Sequence, residues 1–195
     1  EEGTHKYIIS EKRKVNPEKG INYDPNDIYV TVVISRDASG KLVPTVKYEG
    51  IDDQGGREEK NKFTNYYLPE KTSTKLSVTK KLIGRKLQKN EFEFDLKENG
   101  QVLQTVKNAA DGKVQFKELE YTKAGTYHYT ISEKAGDVPG VEYEPNLISA
   151  TVTVEDKGGK LEVTKITYSK AGEETKNPTF ENRYTPGKTF ARLEV

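Results

Sequence analysis

The chain lacks several residue types, and each absence excludes a class of chemistry. Its 195 residues include no Cys, no Met and no Trp, and only two His. Without Cys there can be no disulfide framework and no thiolate metal site. The two histidines, His5 and His128, are too few for most metal centres or acid–base sites. We therefore expect no cofactor, and the fold must be stabilised by other means.

The chain also has little net charge. Charged residues make up 32% of the sequence, yet the formal net charge is only +1. Acidic residues lie among the basic ones, so there is no clustered basic excess of the kind that binds nucleic acid or a membrane surface. No apolar signal segment or membrane span is present, and there is no initiator Met. We expect neither nucleic acid nor a membrane as a partner, and we expect the chain to be a piece of a longer protein.

The residues that are present form a strand pattern. Runs rich in β-branched and aromatic residues alternate with Gly, Asn, Asp and Pro, which is typical of short β-strands and turns. No useful window has helical periodicity. This spacing predicts an all-β, Ig-like sandwich. The predicted strands are residues 4–11, 27–35, 41–49, 61–67, 74–83, 91–98, 101–107, 113–119, 126–134, 146–155, 159–169 and 178–184.

The second half of the sequence repeats the first. GTHKYIISEK at residues 3–12 matches GTYHYTISEK at residues 125–134, an offset of 122 (125 − 3). A repeat of this length is a domain rather than a solenoid unit. Further matched pairs are YDPNDIYVTVVI from Tyr23 with YEPNLISATVTV from Tyr143, and FTNYYLPEKTSTKLSV from Phe63 with FENRYTPGKTFARLEV from Phe180.

The repeat predicts tandem sandwich domains. Residues 1–67 match the C-terminal part of one domain, whose first strands are absent, and residues 74–184 form a complete domain. Two Pro-containing segments, 68–73 and the start of 185–195, are predicted linkers. The remainder of 185–195 resembles the first strand of a further domain.

The incomplete domain predicts an exposed sheet edge. Residues 189–195 of a neighbouring copy could fill this edge by head-to-tail strand addition. Such pairing would form no cross-link, because the chain stops before the next lysine of the pattern. Loss of upstream strands by proteolysis is the alternative explanation.

Three polar residues occupy positions where strand alternation calls for apolar ones. Lys80 continues the apolar stripe of LSVTKKLIG, Glu133 that of TYHYTISEK, and Asn182 lies within TFENRY. Residues two apart on a strand face the same way, so all three are predicted to point into the core. Lys81 has the opposite parity and is predicted to face outwards. An unpaired buried charge costs several kcal/mol, so the three polar residues need an explanation.

Their chemistry predicts a covalent cross-link. Burial disfavours the charged forms of both Lys80 and Glu133, which leaves a neutral, nucleophilic amine and a protonated acid. The acid can hydrogen-bond the Asn182 carbonyl, polarise it and pass protons to the departing ammonia. The product is an uncharged amide between Lys80 and Asn182. The alternative is a buried Lys80–Glu133 salt bridge, with Asn182 bonded to backbone groups.

The same residues resemble a known family. SVTKKLIG, TYHYTISEKAGDVPGVEYEP and PTFENRY are similar to the streptococcal pilin isopeptide-linkage domains, relatives of the collagen-adhesin B-type repeats of Gram-positive surface proteins. The resemblance implies that Lys80 and Asn182 form a self-generated isopeptide bond and that Glu133 shuttles the protons. It makes Glu11 and Asn65 the equivalent members of a second triad, whose lysine would precede residue 1.

The resemblance implies a secreted protein anchored in a Gram-positive cell wall, and it favours a structural stalk or pilus shaft with neighbouring repeats as partners. A second hypothesis is an adhesin that binds a host ligand through loops such as residues 51–61. That loop is hydrophilic and has no aromatic anchor, so the stalk is favoured. An enzyme acting on an external substrate is not expected, because no nucleophile elbow, phosphate loop or metal-ligand spacing is present.

Overall fold

The computed structural model describes residues 1–52, 54–189 and 192 of the chain. It divides into two compact units, Glu1–Pro69 and Glu70–Val195, here called unit 1 and unit 2. The described residues form strands and turns, which confirms the prediction of an all-β, Ig-like fold. None of them forms a helix that could span a membrane.

Unit 1 is built on one antiparallel sheet with the strand order β1-β3-β4-β5. β2 and β6 pair as a separate two-stranded sheet. The strands are β1 (Gly3–Ile9), β2 (Ile21–Asn22), β3 (Ile28–Arg36), β4 (Leu42–Ile51), β5 (Arg57–Glu59) and β6 (Tyr66–Tyr67).

Apolar side chains of β1 in unit 1 are open to solvent. Tyr7 and Ile9 pair with inward-facing residues of β3, yet they are 56% and 45% exposed. Their counterparts in the repeat, Tyr129 and Ile131, are 4% and 0% exposed because unit 2 has a second sheet to cover them. An uncovered apolar face of this kind is typical of a surface that binds another polypeptide.

Unit 2 is a two-sheet sandwich. One sheet has the order β10-β9-β13-β15-β16-β17, the other β11-β8-β18-β14, and β12 pairs with β7. The strands are β7 (Thr72–Thr74), β8 (Ser77–Ile83), β9 (Glu93–Glu98), β10 (Gln101–Lys107), β11 (Lys113–Gln115), β12 (Leu119–Tyr121), β13 (Gly125–Glu133), β14 (Val141–Glu142), β15 (Ile148–Asp156), β16 (Leu161–Lys170), β17 (Glu173–Thr175) and β18 (Thr179–Tyr184).

The core of unit 2 follows from strand alternation. Every second residue of β13 and β15 points inwards, where apolar side chains of both sheets form one buried cluster. The cluster comprises Leu76, Val78, Phe92, Phe94, Leu96, Val114, Phe116, Tyr121, Tyr129, Ile131, Ile148, Ala150, Val152, Val154, Leu161 and Phe180.

Two strands from opposite ends of the unit 2 sequence, β8 and β18, lie side by side. β8 pairs in parallel with β18, with Lys80 opposite Phe180 and Leu82 opposite Asn182. A glycine allows a third segment to approach: the Lys80 N–H donates to the Gly112 carbonyl at 2.7 Å. A Cβ on Gly112 would lie 2.3 Å from the Lys80 carbonyl oxygen, and the φ of Gly112 is +90°, so only glycine fits this turn without strain.

Several details differ from the sequence prediction. In the predicted linker 68–73, Glu70 bridges to Lys160, and the last two residues belong to β7. The predicted strand 61–67 is reduced to β6, and part of the 51–61 loop pairs as β5. The tail strand predicted within 189–195 falls on residues 190, 191 and 193–195, which lie outside the described residues.

Candidate cross-linking site

Lys80, Glu133 and Asn182 meet in the core of unit 2, each from a different strand. The Lys80 Nζ lies 2.8 Å from both carboxylate oxygens of Glu133. The Asn182 Nδ2 donates to Glu133 Oε1, also at 2.8 Å. One carboxylate therefore bridges an amine and a carboxamide.

This site is shielded from water. The side chains of Lys80 and Glu133 are 0% and 1% exposed, and Asn182 is fully buried, whereas Lys81 is exposed. The Lys80 Nζ lies 4.6 Å from the centre of the Phe92 ring. Burial lowers the pKa of Lys80 and raises the pKa of Glu133, although their mutual hydrogen bond opposes both shifts. Both burial effects act in the direction of a neutral amine and a protonated acid.

The carboxamide of Asn182 has a defined orientation. Its Oδ1 accepts a hydrogen bond from the backbone N–H of Glu144 at 2.9 Å. A backbone N–H can only donate, so the carbonyl oxygen must point to Glu144 and the NH2 group to Glu133. This differs from the prediction that Glu133 binds the carbonyl. The acid instead contacts the nitrogen that would leave as ammonia.

Glu144 is itself held by several hydrogen bonds. Its Oε1 accepts from the Asn146 N–H at 3.2 Å, and Lys170 Nζ donates both to Glu144 Oε2 at 2.6 Å and to the Thr179 carbonyl at 2.9 Å. Burial opposes ionisation of Glu144, but the bonds to Lys170 and Asn146 outweigh it and hold the pKa of Glu144 below its ordinary value. An ion pair between Lys170 and Glu144 therefore anchors the turn beside Asn182.

Unit 1 repeats the acid and the carboxamide. The Asn65 Nδ2 donates to Glu11 Oε1 at 2.7 Å, and the Asp24 N–H donates to Asn65 Oδ1 at 2.9 Å. The other carboxylate oxygen, Glu11 Oε2, is buried and has no hydrogen-bond partner among the described residues. Both Glu133 oxygens lie within reach of the Lys80 amine in unit 2. Asn65 is exposed, whereas Asn182 is buried.

The structure brings together the three residues that the sequence singled out, and it adds Glu144 and Lys170, which the sequence analysis did not name. Glu144 contacts Asn182 through its backbone N–H. Every residue except proline has this group, so the residue type does not indicate the contact. The repeated YDPN and YEPN motifs were the available signal. Among the described residues there is no cluster of His, Asp and Glu that could hold a metal ion.

A family model described as FctA, Spy0128-like isopeptide containing domain, matches residues 1–68 and 76–185. The chain belongs to this family. The match covers both repeats and confirms the resemblance to pilin isopeptide domains. This is a family of structural domains rather than of enzymes.

Solved structures with similarity to the chain include two major pilins. The major pilin from Streptococcus pyogenes is 21% identical, with a TM-score of 0.40 over 56% of this chain and 50% of that chain. The major pilin from Streptococcus pyogenes serotype GAS13637 is 19% identical, with a TM-score of 0.28 over 93% of this chain and 66% of that chain. The chain thus spans half the length of the first pilin. A search of curated proteins finds no match.

Proposed function

We propose that unit 2 forms a spontaneous isopeptide bond between Lys80 and Asn182, and that the chain is a structural module of a pilus shaft or surface stalk. The observation that carries this proposal is the buried Glu133 carboxylate, which contacts both the amine and the carboxamide nitrogen at 2.8 Å. A salt bridge alone would not require a carboxamide in the same dry site.

The reaction follows from these contacts. Glu133 takes a proton from the Lys80 ammonium, and the nitrogen lone pair of the neutral amine attacks Asn182 Cγ while the carbonyl π electrons move to Oδ1. Glu133 then protonates Nδ2, the Oδ1 electrons re-form the carbonyl, and ammonia leaves with the electrons of the Cγ–Nδ2 bond. Glu133 finally accepts the remaining extra proton of the Lys80 nitrogen. The products are an amide, ammonia and a protonated Glu133, with every proton accounted for.

The fold supplies what an external enzyme would. Holding two reacting groups in contact is worth roughly 7–11 kcal/mol of the barrier. Burial in the core excludes competing water, and the reaction replaces two buried charges with none. Burial costs several kcal/mol per ion and the attraction within the pair offsets part of this cost, so losing both charges favours the product. The reaction occurs once per molecule and acts on no external substrate.

Mass spectrometry tests the bond. The intact protein should be lighter than its sequence by one ammonia, and proteolysis should release a branched peptide that joins Lys80 to Asn182. Glu133→Ala should restore the full mass, because no group remains to move the protons. Glu142→Ala, which removes an exposed carboxylate of the same unit, should keep the branched peptide. A full-mass native protein would overturn the proposal.

The shaft role rests on the same arrangement. Membership of an isopeptide-domain family, two matched repeats and similarity to solved major pilins support a location on the surface of a Gram-positive bacterium. Other copies of such domains are the expected partners. The 51–61 segment contains no aromatic residue that could anchor a host ligand.

We also propose that unit 1 is completed by an added strand that resembles β8, which residues 189–195 of another copy would supply in a head-to-tail pair. The exposed Tyr7 and Ile9 side chains and the buried, unpartnered Glu11 Oε2 support this. A synthetic peptide with the sequence of residues 74–83, TKLSVTKKLI, imitates β8 and serves as the probe.

When this peptide is added to the chain, we expect it to shift the NMR signals of Glu11 and Asn65. A covalent adduct lighter than the sum by one ammonia should then form at Asn65. The matched peptide with Met in place of the central lysine, the Lys80 equivalent, should bind without forming an adduct. Absence of any shift at millimolar peptide would exclude strand complementation.

A further inference from the structure

The YDPN and YEPN motifs form the same hydrogen-bonded turn in both units. In each motif the acidic residue, Asp24 or Glu144, donates its backbone N–H to the carbonyl oxygen of the site asparagine at 2.9 Å. In each, its carboxylate accepts the N–H of the asparagine two residues later, at 3.0 Å for Asn26 and 3.2 Å for Asn146. The two units differ in sequence, yet in both of them a backbone N–H of this turn donates to the Oδ1 atom of the site asparagine.

This atom is where negative charge develops in the proposed reaction. When the amine attacks Asn182 Cγ, the carbonyl electrons move to Oδ1, which becomes an oxyanion. The only donor the structure gives that oxygen among the described residues is the Glu144 N–H. A fixed donor in a dry site stabilises such charge far more than water does, because it needs no reorganisation.

We propose that the Glu144 N–H is the oxyanion donor of the cross-linking reaction and that the YEPN turn, clamped by Lys170, positions it. This inference rests on the proposed function. The Glu144 N–H contacts a reacting atom, whereas the Glu144 and Lys170 side chains act through the backbone and are positioning groups.

In both units a lysine binds the carboxylate of the turn, but the two lysines come from different places in the fold. In unit 2 the lysine is Lys170, the last residue of β16. In unit 1 it is Lys60, which follows β5 and donates to both carboxylate oxygens of Asp24 at 2.7 and 2.8 Å. Its hydrogen bond lowers the pKa of Asp24 to about 2. A lysine from a different place in the fold makes the same bond, so the anchored turn, rather than a particular lysine, is the shared feature.

The turn also sets the direction of the reaction. With Oδ1 held by Glu144, the Nδ2 group of Asn182 can only face Glu133, the acid that must protonate it. Without the N–H donor the carboxamide could rotate by half a turn and present its oxygen to Glu133. The leaving nitrogen would then have no proton donor.

A single-atom change tests the donor. The full chain can be assembled from synthetic and recombinant segments joined at Ala135 and Ala150 through temporary cysteines that are later desulfurised, since the sequence has no other Cys. Replacing the amide N–H of Glu144 by an ester oxygen removes the donor and keeps every side chain. The assembled chain is unfolded and unreacted, so refolding starts the reaction, which is followed by loss of the mass of ammonia.

We expect the ester chain to cross-link about 100-fold to 1,000-fold more slowly than the all-amide chain assembled in the same way. An ester at Ile148, within β15, is the control for loss of one backbone donor. An equal rate in the Glu144 ester and all-amide chains would overturn the inference. Failure of the all-amide chain to lose ammonia would instead overturn the proposed function.

Side-chain variants separate positioning from folding. Glu144→Ala and Lys170→Met keep the N–H but release the clamp, so each should slow the reaction by a smaller factor. Glu144→Asp, which copies unit 1, should recover most of the rate. In a Glu133→Ala background that does not react, the Asn182 13Cγ signal should move upfield in the ester chain, because the carbonyl has lost its donor. No movement of that signal would contradict the assigned contact.

Discussion

When unit 2 is pulled from its two ends, we expect the residues between Lys80 and Asn182 to stay folded. Force applied through β7 and β18 is carried by a bond between Lys80 and Asn182, which bypasses the 101 residues (81–181) that lie between them. In a Lys80→Met chain those residues are free to extend, which adds about 3.3–3.6 Å per residue, or roughly 350 Å in all. The cross-linked unit should show no step of this length.

Single-molecule pulling measures this directly. Lys71→Cys and Thr185→Cys provide unique attachment points, since the sequence has no other thiol. Glu133→Ala, which removes the acid but keeps the nucleophile, should extend as Lys80→Met does, and Glu142→Ala should behave like the parent. A full-length step in the parent chain would show that no bond joins the two strands.

Heating should reveal a second large effect. By analogy with a disulfide, closing a loop of about 100 residues stabilises the folded state by roughly 4–5 kcal/mol, mainly by restricting the unfolded chain. For a unit of this size that corresponds to a Tm lower by roughly 15–20 °C in Lys80→Met. Calorimetry under reducing conditions is the measurement, because an amide, unlike a disulfide, survives them. Equal Tm values would contradict the proposal.

The pH dependence of stability distinguishes the loss of the cross-link from the cost of a buried Lys80 charge. Glu133→Ala leaves Lys80 buried without its carboxylate, and burial lowers the pKa of Lys80. The unfolded chain then binds more protons than the folded one, so stability should rise with pH up to the ordinary lysine pKa. Lys80→Met has no such group and should show no such rise. Urea unfolding of both variants at neutral and alkaline pH measures the difference.

The sequence predicted the fold class because strand alternation is long and regular in β13, β15 and β16. It did not predict β2, β5, β14 or β17, which have only two or three residues each. Such short strands carry no periodicity, since their pairing is decided by neighbouring strands rather than by their own residues.

The site was predictable to the extent that it breaks a pattern. Lys80 and Asn182 interrupt apolar stripes and are buried, as strand parity requires. The orientation of the Asn182 carboxamide was not predictable, because it depends on a backbone N–H brought in by tertiary contact. Local sequence carries no information about which backbone group faces a side chain 38 residues away (182 − 144).

The meeting of β8 and β18 has a further consequence. Lys80 and Asn182 lie in a core that both sheets enclose, so we expect the proposed bond to form only after the sandwich has closed, and later unfolding would not reverse the loss of ammonia. Each cross-linked chain would then keep the bond after unfolding, as evidence that it had folded at least once. In a denatured extract, the proportion of lighter molecules would count how many had ever reached the native state, including those since damaged.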